Sequence, residues 1–455
     1  MTTLSLNDRG LDLILGGGLT WIERVPGKAS TTILLRGEAG TGKTLSALHI
    51  ARSLAMALNG DIAWTGVEIL PAEVAAQHTS LWPNDTTFSV VHRGTTESSV
   101  RRAIHARLLG PLEDAAQLGD ALEALWPEFA GEHPPRVLVL DSLTDGYALG
   151  AKVPRAVVDG VCKLAAHWNV ALVLVEEARF GEPSPWPYAV DTVVELRAAE
   201  RGVRSLCVAK HRFAPSDAGP HALSFIASTG MRVSPRVGSW TRMEPSTSTQ
   251  FRGWLKVPGL AGDKLASAVA VFGPASTIRR YALSLVENHG TTVLFDLSQP
   301  RGARGELSDG VWMGVRATDA SPSETLRDLL DTPEITGART VVLGDIIALR
   351  DLWDARETYA MLATLGDLLR RRNVPLVLFE TSAARADGVT PEPFHASQWQ
   401  PRAGLALPMI AALGDITAEC VVDDFAQRTA RALPFILTDR RTGEVGLWPF
   451  PFAPP

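Results

Sequence analysis

The sequence predicts an α/β protein with one architecture laid down twice, each time as a mostly parallel sheet covered by helices. Three observations predict it. Short continuous apolar runs, RVLVL at 136–140 and VALVLV at 170–175, suit central strands covered on both faces. Segments of helical length separate such runs, the pattern of α/β domains. The order strand, glycine-bearing turn, helix then recurs beyond residue 253 with little residue identity.

Taken in order, 31–36 (TTILLR) reads as a buried strand, 43–58 as a helix and 61–67 as a second strand. Strands at 136–140 and 170–175 flank a helix at 154–168, where a proline suits the first turn because its missing N–H goes unused there. Segments 191–196, 203–210 and 222–227 predict three strands forming an antiparallel extension. Residues 237–252 (VGSWTRMEPSTSTQFR) lack an apolar period and read as a linker between domains at 1–236 and 253–455. The second domain predicts strands at 268–272, 291–296, 340–344 and 375–380, with helices at 278–288 and 359–372.

A length of 455 residues with 45% hydrophobic content allows two or three domains with cores of their own. A net charge of -6 argues against a protein that mainly coats nucleic acid, although it leaves room for a local basic groove. Cys162, Cys207 and Cys420 are far apart and lack metal-ligand spacing, which predicts free thiols in a reducing compartment. No apolar run reaches the roughly 18 residues of a membrane span, and the N-terminus lacks the pattern of a signal peptide. The expected location is the cytoplasm, away from membranes.

Residues 37–44 carry the chemistry. Gly37, Glu38, Ala39, Gly40, Thr41, Gly42, Lys43 and Thr44 fit G-x-x-x-x-G-K-[ST] between a strand and a helix. The glycines let backbone N–H groups turn inward toward phosphates, which the helix N-terminus also attracts. Lys43 is expected to bridge the β and γ phosphates of ATP, and the Thr44 hydroxyl to bind Mg2+. Asp141, at the end of RVLVL, is the expected magnesium-side carboxylate; a strand-end cap is its competing reading. Glu68, ending the second strand, is the candidate general base, against a plain surface glutamate. Glu176 and Glu177 read most simply as polar residues at a strand exit, with γ-phosphate sensing as the alternative.

With these residues in place, the first domain resembles the KaiC-like branch of the RecA superfamily. Residues 10–19 (GLDLILGGGL) look like that family's lead-in to the phosphate loop. Glu68, followed by Pro71, falls where the family has a catalytic glutamate, although Ile69 stands where most members carry a second one. Asp141-Ser142, the K-x-R of Lys210 and Arg212, and the closing pattern of Phe225, Gly230, Met231, Val233 and Pro235 agree as well. The resemblance covers about residues 8–236 and implies a RecA-like fold. It also implies a homo-oligomer, usually a hexameric ring, with ATP between subunits. In that geometry Lys210 and Arg212 would reach a neighbour's γ-phosphate; without the resemblance they read as a solvated basic strand end. KHRFAPSDAG at 210–219 also resembles RadA, a DNA-repair ATPase, but RadA's four-cysteine element and Lon-like domain are lacking, as is the helical collar of DnaB-type helicases.

The second domain resembles a degenerate RecA-like copy. Residues 257–260 (VPGL) are similar to a trace of the lead-in. Gly273-Pro274-Ala275-Ser276-Thr277-Ile278-Arg279-Arg280 stands in phosphate-loop register with Ile, Arg and Arg replacing Gly, Lys and Thr. Ile278 would deny phosphates the close backbone approach, Arg280 offers no hydroxyl, and Asp345 stands roughly at the Asp141 position. Catalytic silence is expected, and circadian function is not implied. Arg370-Arg371-Arg372 read as a solvated helix end, and 447–455 (LWPFPFAPP) as either an extended arm or a segment folded onto its own domain.

Three functions follow. The first is an oligomeric ATPase that switches its assembly or its contacts with a protein partner. The second is a DNA-dependent ATPase, which is not favoured. The third is an ATP-binding scaffold with little turnover.

Overall fold

The computed structural model describes residues 1–66, 70–91, 102–109, 112, 115–129, 134–143, 154–177, 184–198, 204–243, 253–260, 264–273, 275–287, 289–300, 302–308, 310–316, 321–350, 352–381, 413–420 and 432–451. The chain divides into two compact units, Met1–Ser239 and Trp240–Pro455.

In the first unit the elements are β1 (Thr2–Leu4), α1 (Arg9–Ile14), β2 (Leu19–Val25), β3 (Lys28–Gly37), α2 (Lys43–Leu58), β4 (Asp61–Gly66), α3 (Pro71–Leu81), β5 (Phe88–Val91), β6 (Arg102–Leu108), α4 (Leu118–Leu125), β7 (Pro135–Leu140), α5 (Arg155–Trp168), β8 (Ala171–Glu177), α6 (Trp186–Ala189), β9 (Thr192–Ala198), β10 (Arg204–His211), β11 (His221–Ile226) and β12 (Gly230–Ser234). The described strands form one sheet in the order β12-β11-β10-β9-β3-β8-β7-β4-β6-β5, with β2 pairing both β1 and the start of β3. From β9 to β5 every pairing is parallel. The three strands expected at 191–196, 203–210 and 222–227 do pair antiparallel with one another, but the first of them, β9, joins β3 in parallel, and β12 extends the antiparallel edge. A single apolar run cannot reveal strand direction, because both senses bury it equally well.

The continuous apolar runs are explained by burial on both faces. Along β3, Ile33 and Leu35 join the core beneath α2, whereas Leu34 joins the core beneath α4 and α5. Helix α2 is rich in Ala and Leu, free of internal Gly and Pro, and ends at Asn59 in the left-handed conformation. His49 on its buried face ties it in place, with Nε2 at 3.0 Å from the Leu6 carbonyl and Nδ1 accepting from Met231 N–H. The lead-in at 10–19 is a structural clasp. Asp8 caps α1 by accepting from Leu11 N–H, and Asp12 accepts from Leu6 N–H. Gly16, Gly17 and Gly18 all have positive φ, and a Cβ on Gly18 would lie 2.2 Å from the Leu4 carbonyl oxygen.

The expected linker begins as a helix, α7 (Val237–Met243), and its remainder, 244–252, lies outside the described residues. The second unit contains β13 (Leu255–Val257), β14 (Lys264–Ala266), β15 (Ala268–Gly273), α8 (Ala275–Val286), β16 (Thr292–Pro300), β17 (Arg304–Leu307), β18 (Gly310–Arg316), α9 (Pro322–Asp331), α10 (Pro333–Gly337), β19 (Thr340–Gly344), α11 (Ile347–Arg350), α12 (Ala355–Arg371), β20 (Leu376–Thr381), β21 (Ile416–Cys420), β22 (Ala432–Asp439) and β23 (Val445–Pro451).

Its main sheet runs β17-β18-β16-β19-β20-β15-β21-β22-β23. This is the order of β5-β6-β4-β7-β8-β3-β9-β10-β11 in the first unit, strand for strand, and β13 pairs β14 as β1 pairs β2. One direction differs: β17 lies antiparallel to β18, where β5 is parallel to β6. Two units with so little residue identity therefore share one topology. The aromatic tail is partly resolved between its alternatives, since β23 folds back on β22 within its own unit; residues 452–455 lie outside the described residues. The arginines at 370–372 are more engaged than a solvated helix end. Arg370 donates to Ser267 Oγ, and Arg371 to Asp367 and to the Thr241 carbonyl.

Candidate functional site

The phosphate-loop sequence spans the gap between the last residue of β3, Gly37, and the first of α2, Lys43. Gly40 and Gly42 have φ of 75° and 94°, which a side chain would resist. Gly42 is also packed from outside, since a Cβ there would lie 2.6 Å from the Phe225 ring of β11. Gly37 passes close to β9, where a Cβ would meet the Leu196 carbonyl oxygen at 2.3 Å. Loop residues Glu38 and Ala39 are exposed. The Glu38 carbonyl accepts from Thr41 Oγ1 at 2.8 Å and from the Lys43 ammonium at 2.7 Å. Lys43 therefore curls over its own loop, with its side chain 7% exposed.

Asp141 follows β7 directly. Its N–H donates to the Thr65 carbonyl, and its peptide to Ser142 is cis. The carboxylate is buried and accepts from the Thr44 side chain, yet its Oδ2 has no hydrogen-bond partner. Burial pushes its pKa up to about 6, against the lowering effects of the Thr44 hydrogen bond and the Lys43 charge. An orphaned buried carboxylate oxygen beside a hydroxyl is an oxygen donor set of the kind that suits a hard divalent cation. Thr44 and Asp141 thus fit Mg2+. Gly66, a position that sequence reasoning missed, permits this arrangement: a Cβ there would fall 1.4 Å from the Asp141 carbonyl oxygen. A glycine ending a buried strand was the available signal.

The two glutamates ending β8 separate. Glu176 pairs with Arg36 at 2.9 Å. Glu177 sits opposite Gly37 in the strand register and brings its carboxylate to 3.7 Å from the Lys43 ammonium. Glu68 lies outside the described residues, two positions past the end of β4.

Lys210 is not a solvated strand end. Its ammonium donates to the carbonyls of Pro187 at 2.7 Å and Val190 at 2.6 Å, capping the C-terminus of α6. Burial, with Arg212 nearby, holds its pKa below the usual lysine value. Arg212 is 43% exposed and lies 3.8 Å from Asp191, a buried carboxylate that also accepts from Thr32 and pairs with Arg24. Both cations make their contacts within residues 187–191.

The second unit replaces each of these features. Gly37 pairs with Glu177 and Gly273 with Thr381, so Leu174 corresponds to Leu378, and their partners Leu140 and Leu343 correspond in turn. The residue equivalent to Asp141 is therefore Gly344, which corrects the expectation for Asp345. A Cβ at Gly344 would lie 2.6 Å from the Phe379 ring, so no carboxylate fits there. Asp345, one residue on, accepts from the Thr381 N–H and hydroxyl. By the same register Asp296 stands at the Gly66 position, and it pairs with Arg279 at 2.9 Å. The loop itself is replaced: α8 begins at Ala275, two residues after Gly273, and Ile278 is fully buried.

Among the described residues no helix is long and apolar enough to cross a membrane, no cluster of His, Cys, Asp and Glu could hold a metal ion by itself, and the three cysteines are free. No family model matches this chain, and no curated protein matches it.

Proposed function

We propose that the first unit is a RecA-like, KaiC-like ATPase domain that binds Mg-ATP in loop 37–44 and hydrolyses it, and that the second unit is a silent copy binding no nucleotide. The observation that carries this reading is the buried Asp141 carboxylate, with an unpartnered oxygen, beside Thr44 at the head of the phosphate-loop helix. The inward backbone N–H groups of 38–44 and the N-terminus of α2 cradle the phosphates. Lys43 exchanges the Glu38 carbonyl for β and γ phosphate oxygens. Thr44 and Asp141 hold the metal, which when bound supplies charge neutralisation along the phosphates. Glu68 deprotonates the attacking water as the general base.

In a homo-oligomer, taken as a hexameric ring, Arg212 is the side chain with the exposure to reach a neighbour's γ-phosphate. Lys210 anchors the α6 segment beside it. Turnover then switches assembly or the grip on a protein partner.

Phosphate release in the presence of Mg2+ tests this reading, with and without single-stranded DNA. Wild-type protein turns over ATP without needing DNA, whereas Asp141→Asn loses the magnesium-dependent rate. Strict dependence on DNA would favour the repair-type ATPase instead. Binding without measurable turnover would favour the scaffold, and absence of both would sink the proposal.

A further inference from the structure

We propose that Glu177 is a water-orienting carboxylate of the same site, acting on the γ-phosphate that Lys43 holds; this rests on the ATPase reading above. Three observations carry it. Glu177 closes β8 directly opposite Gly37, the residue that opens the phosphate loop, so the sheet itself fixes its position. Its carboxylate lies 3.7 Å from the Lys43 ammonium, a separation of charge attraction without a formed hydrogen bond. It is 44% exposed, whereas Lys43 is 7% exposed, so this carboxylate opens to solvent on one side and faces the Lys43 ammonium on the other.

The neighbouring acids are differently placed. Glu176 is paired with Arg36, and Asp141 is buried against Thr44. In the second unit the position of Glu177 is taken by Thr381, whose hydroxyl is engaged by Asp345. The acid is thus confined to the unit that keeps the loop.

When the Lys43 ammonium turns to a triphosphate, Glu177 is left facing the γ-phosphate side of the cation. A water between them can donate to the carboxylate and present its lone pair to phosphorus. The water oxygen forms a bond to Pγ. The bond from Pγ to the bridging oxygen breaks, and its electron pair leaves on ADP. The water's proton passes to the general base proposed above and from there to solvent, while Glu177 accepts the hydrogen bond that holds the water in line. Two negative charges this close also oppose each other, so Glu177 weakens ATP binding while it speeds the chemical step. That opposition gives the proposal a signature that a merely structural residue lacks.

The test uses the full chain with Mg-ATP and compares wild type with Glu177→Gln, Glu177→Asp and Glu176→Gln. Affinity for a fluorescent ATP analogue and single-turnover phosphate release are measured separately, with thermal unfolding as the check on fold. Glu177→Gln is expected to slow single-turnover release by about 100-fold or more. It should bind the analogue as tightly as wild type or about threefold more tightly. Glu177→Asp should recover part of the rate. Release within about threefold of wild type for Glu177→Gln would overturn the assignment. So would a loss of rate accompanied by weaker binding, because that would make Glu177 a support of the loop. A wild-type protein that neither binds nor hydrolyses ATP would instead remove the underlying ATPase reading.

Discussion

The junction after β3 and the junction after β15 occupy the same place in the same strand order, yet they do opposite things with the eight residues that follow. In the first, 38–42 stay out of the helix, held by left-handed glycines, and Lys43 arches over the loop. In the second, the helix starts at Ala275, Ile278 is buried within it, and Arg279 turns to an acid of its own unit. The difference teaches that the turn at 38–42 is a helical start held open by glycine. Where Ile278 stands in place of Gly42, the same register winds into a further helical turn and fills with apolar packing, and the cation that follows pairs within its own unit.

Substitutions can break or sharpen that contrast. The largest expected effect is Lys43→Ala, which should weaken Mg-ATP affinity by at least about 100-fold, whereas Arg279→Ala should leave it unchanged. Equilibrium binding of a labelled nucleotide reads both. Gly42→Ala comes next. It forces a side chain to a φ of 94° against the Phe225 ring, so loss of ATP binding with an intact fold is expected, at a stability cost of about 1–3 kcal/mol by denaturant titration. Ile278→Ala should cost about 2–4 kcal/mol in the second unit and leave turnover untouched. Arg279→Ala leaves the buried Asp296 without its cation, and a cost of about 2 kcal/mol is expected, since the arginine is partly exposed. The smallest effect belongs to Lys210→Ala. Removing the cap of α6 should cost about 1 kcal/mol, whereas Arg212→Ala should cost turnover and little stability. Mixing Arg212→Ala with Lys43→Ala protein should restore part of the rate if Arg212 acts across a subunit boundary.

The strands at the middle of each sheet, β3, β4, β7 and β8 with β15, β16, β19 and β20, were legible because burial on both faces writes continuous apolar runs, and α2 and α12 were legible from length and composition. The short or half-exposed strands β1, β5, β6, β12 and β17 carry no such run and were not among the expected ones. The glycine-bearing turn between β3 and α2 was legible because its glycines and lysine form a contiguous motif. Gly66 was not singled out, and for Glu176 and Glu177 the sequence offered γ-phosphate sensing only as the alternative to a plain strand exit, without separating the two, because the pairing of Glu177 with Gly37 and the approach of Asp141 to Gly66 are contacts between residues far apart in the chain. Asp345 misled for the same reason: its nearness in sequence to the strand end hid a one-residue offset that only the strand register shows.

The account turns on one open loop and one closed one, and the number of nucleotides held per chain measures that directly. Native mass measurement at saturating Mg-ATP should find one nucleotide per chain in the wild type, one in Arg279→Ala and none in Lys43→Ala. Two nucleotides per wild-type chain, or one retained by Lys43→Ala, would contradict it.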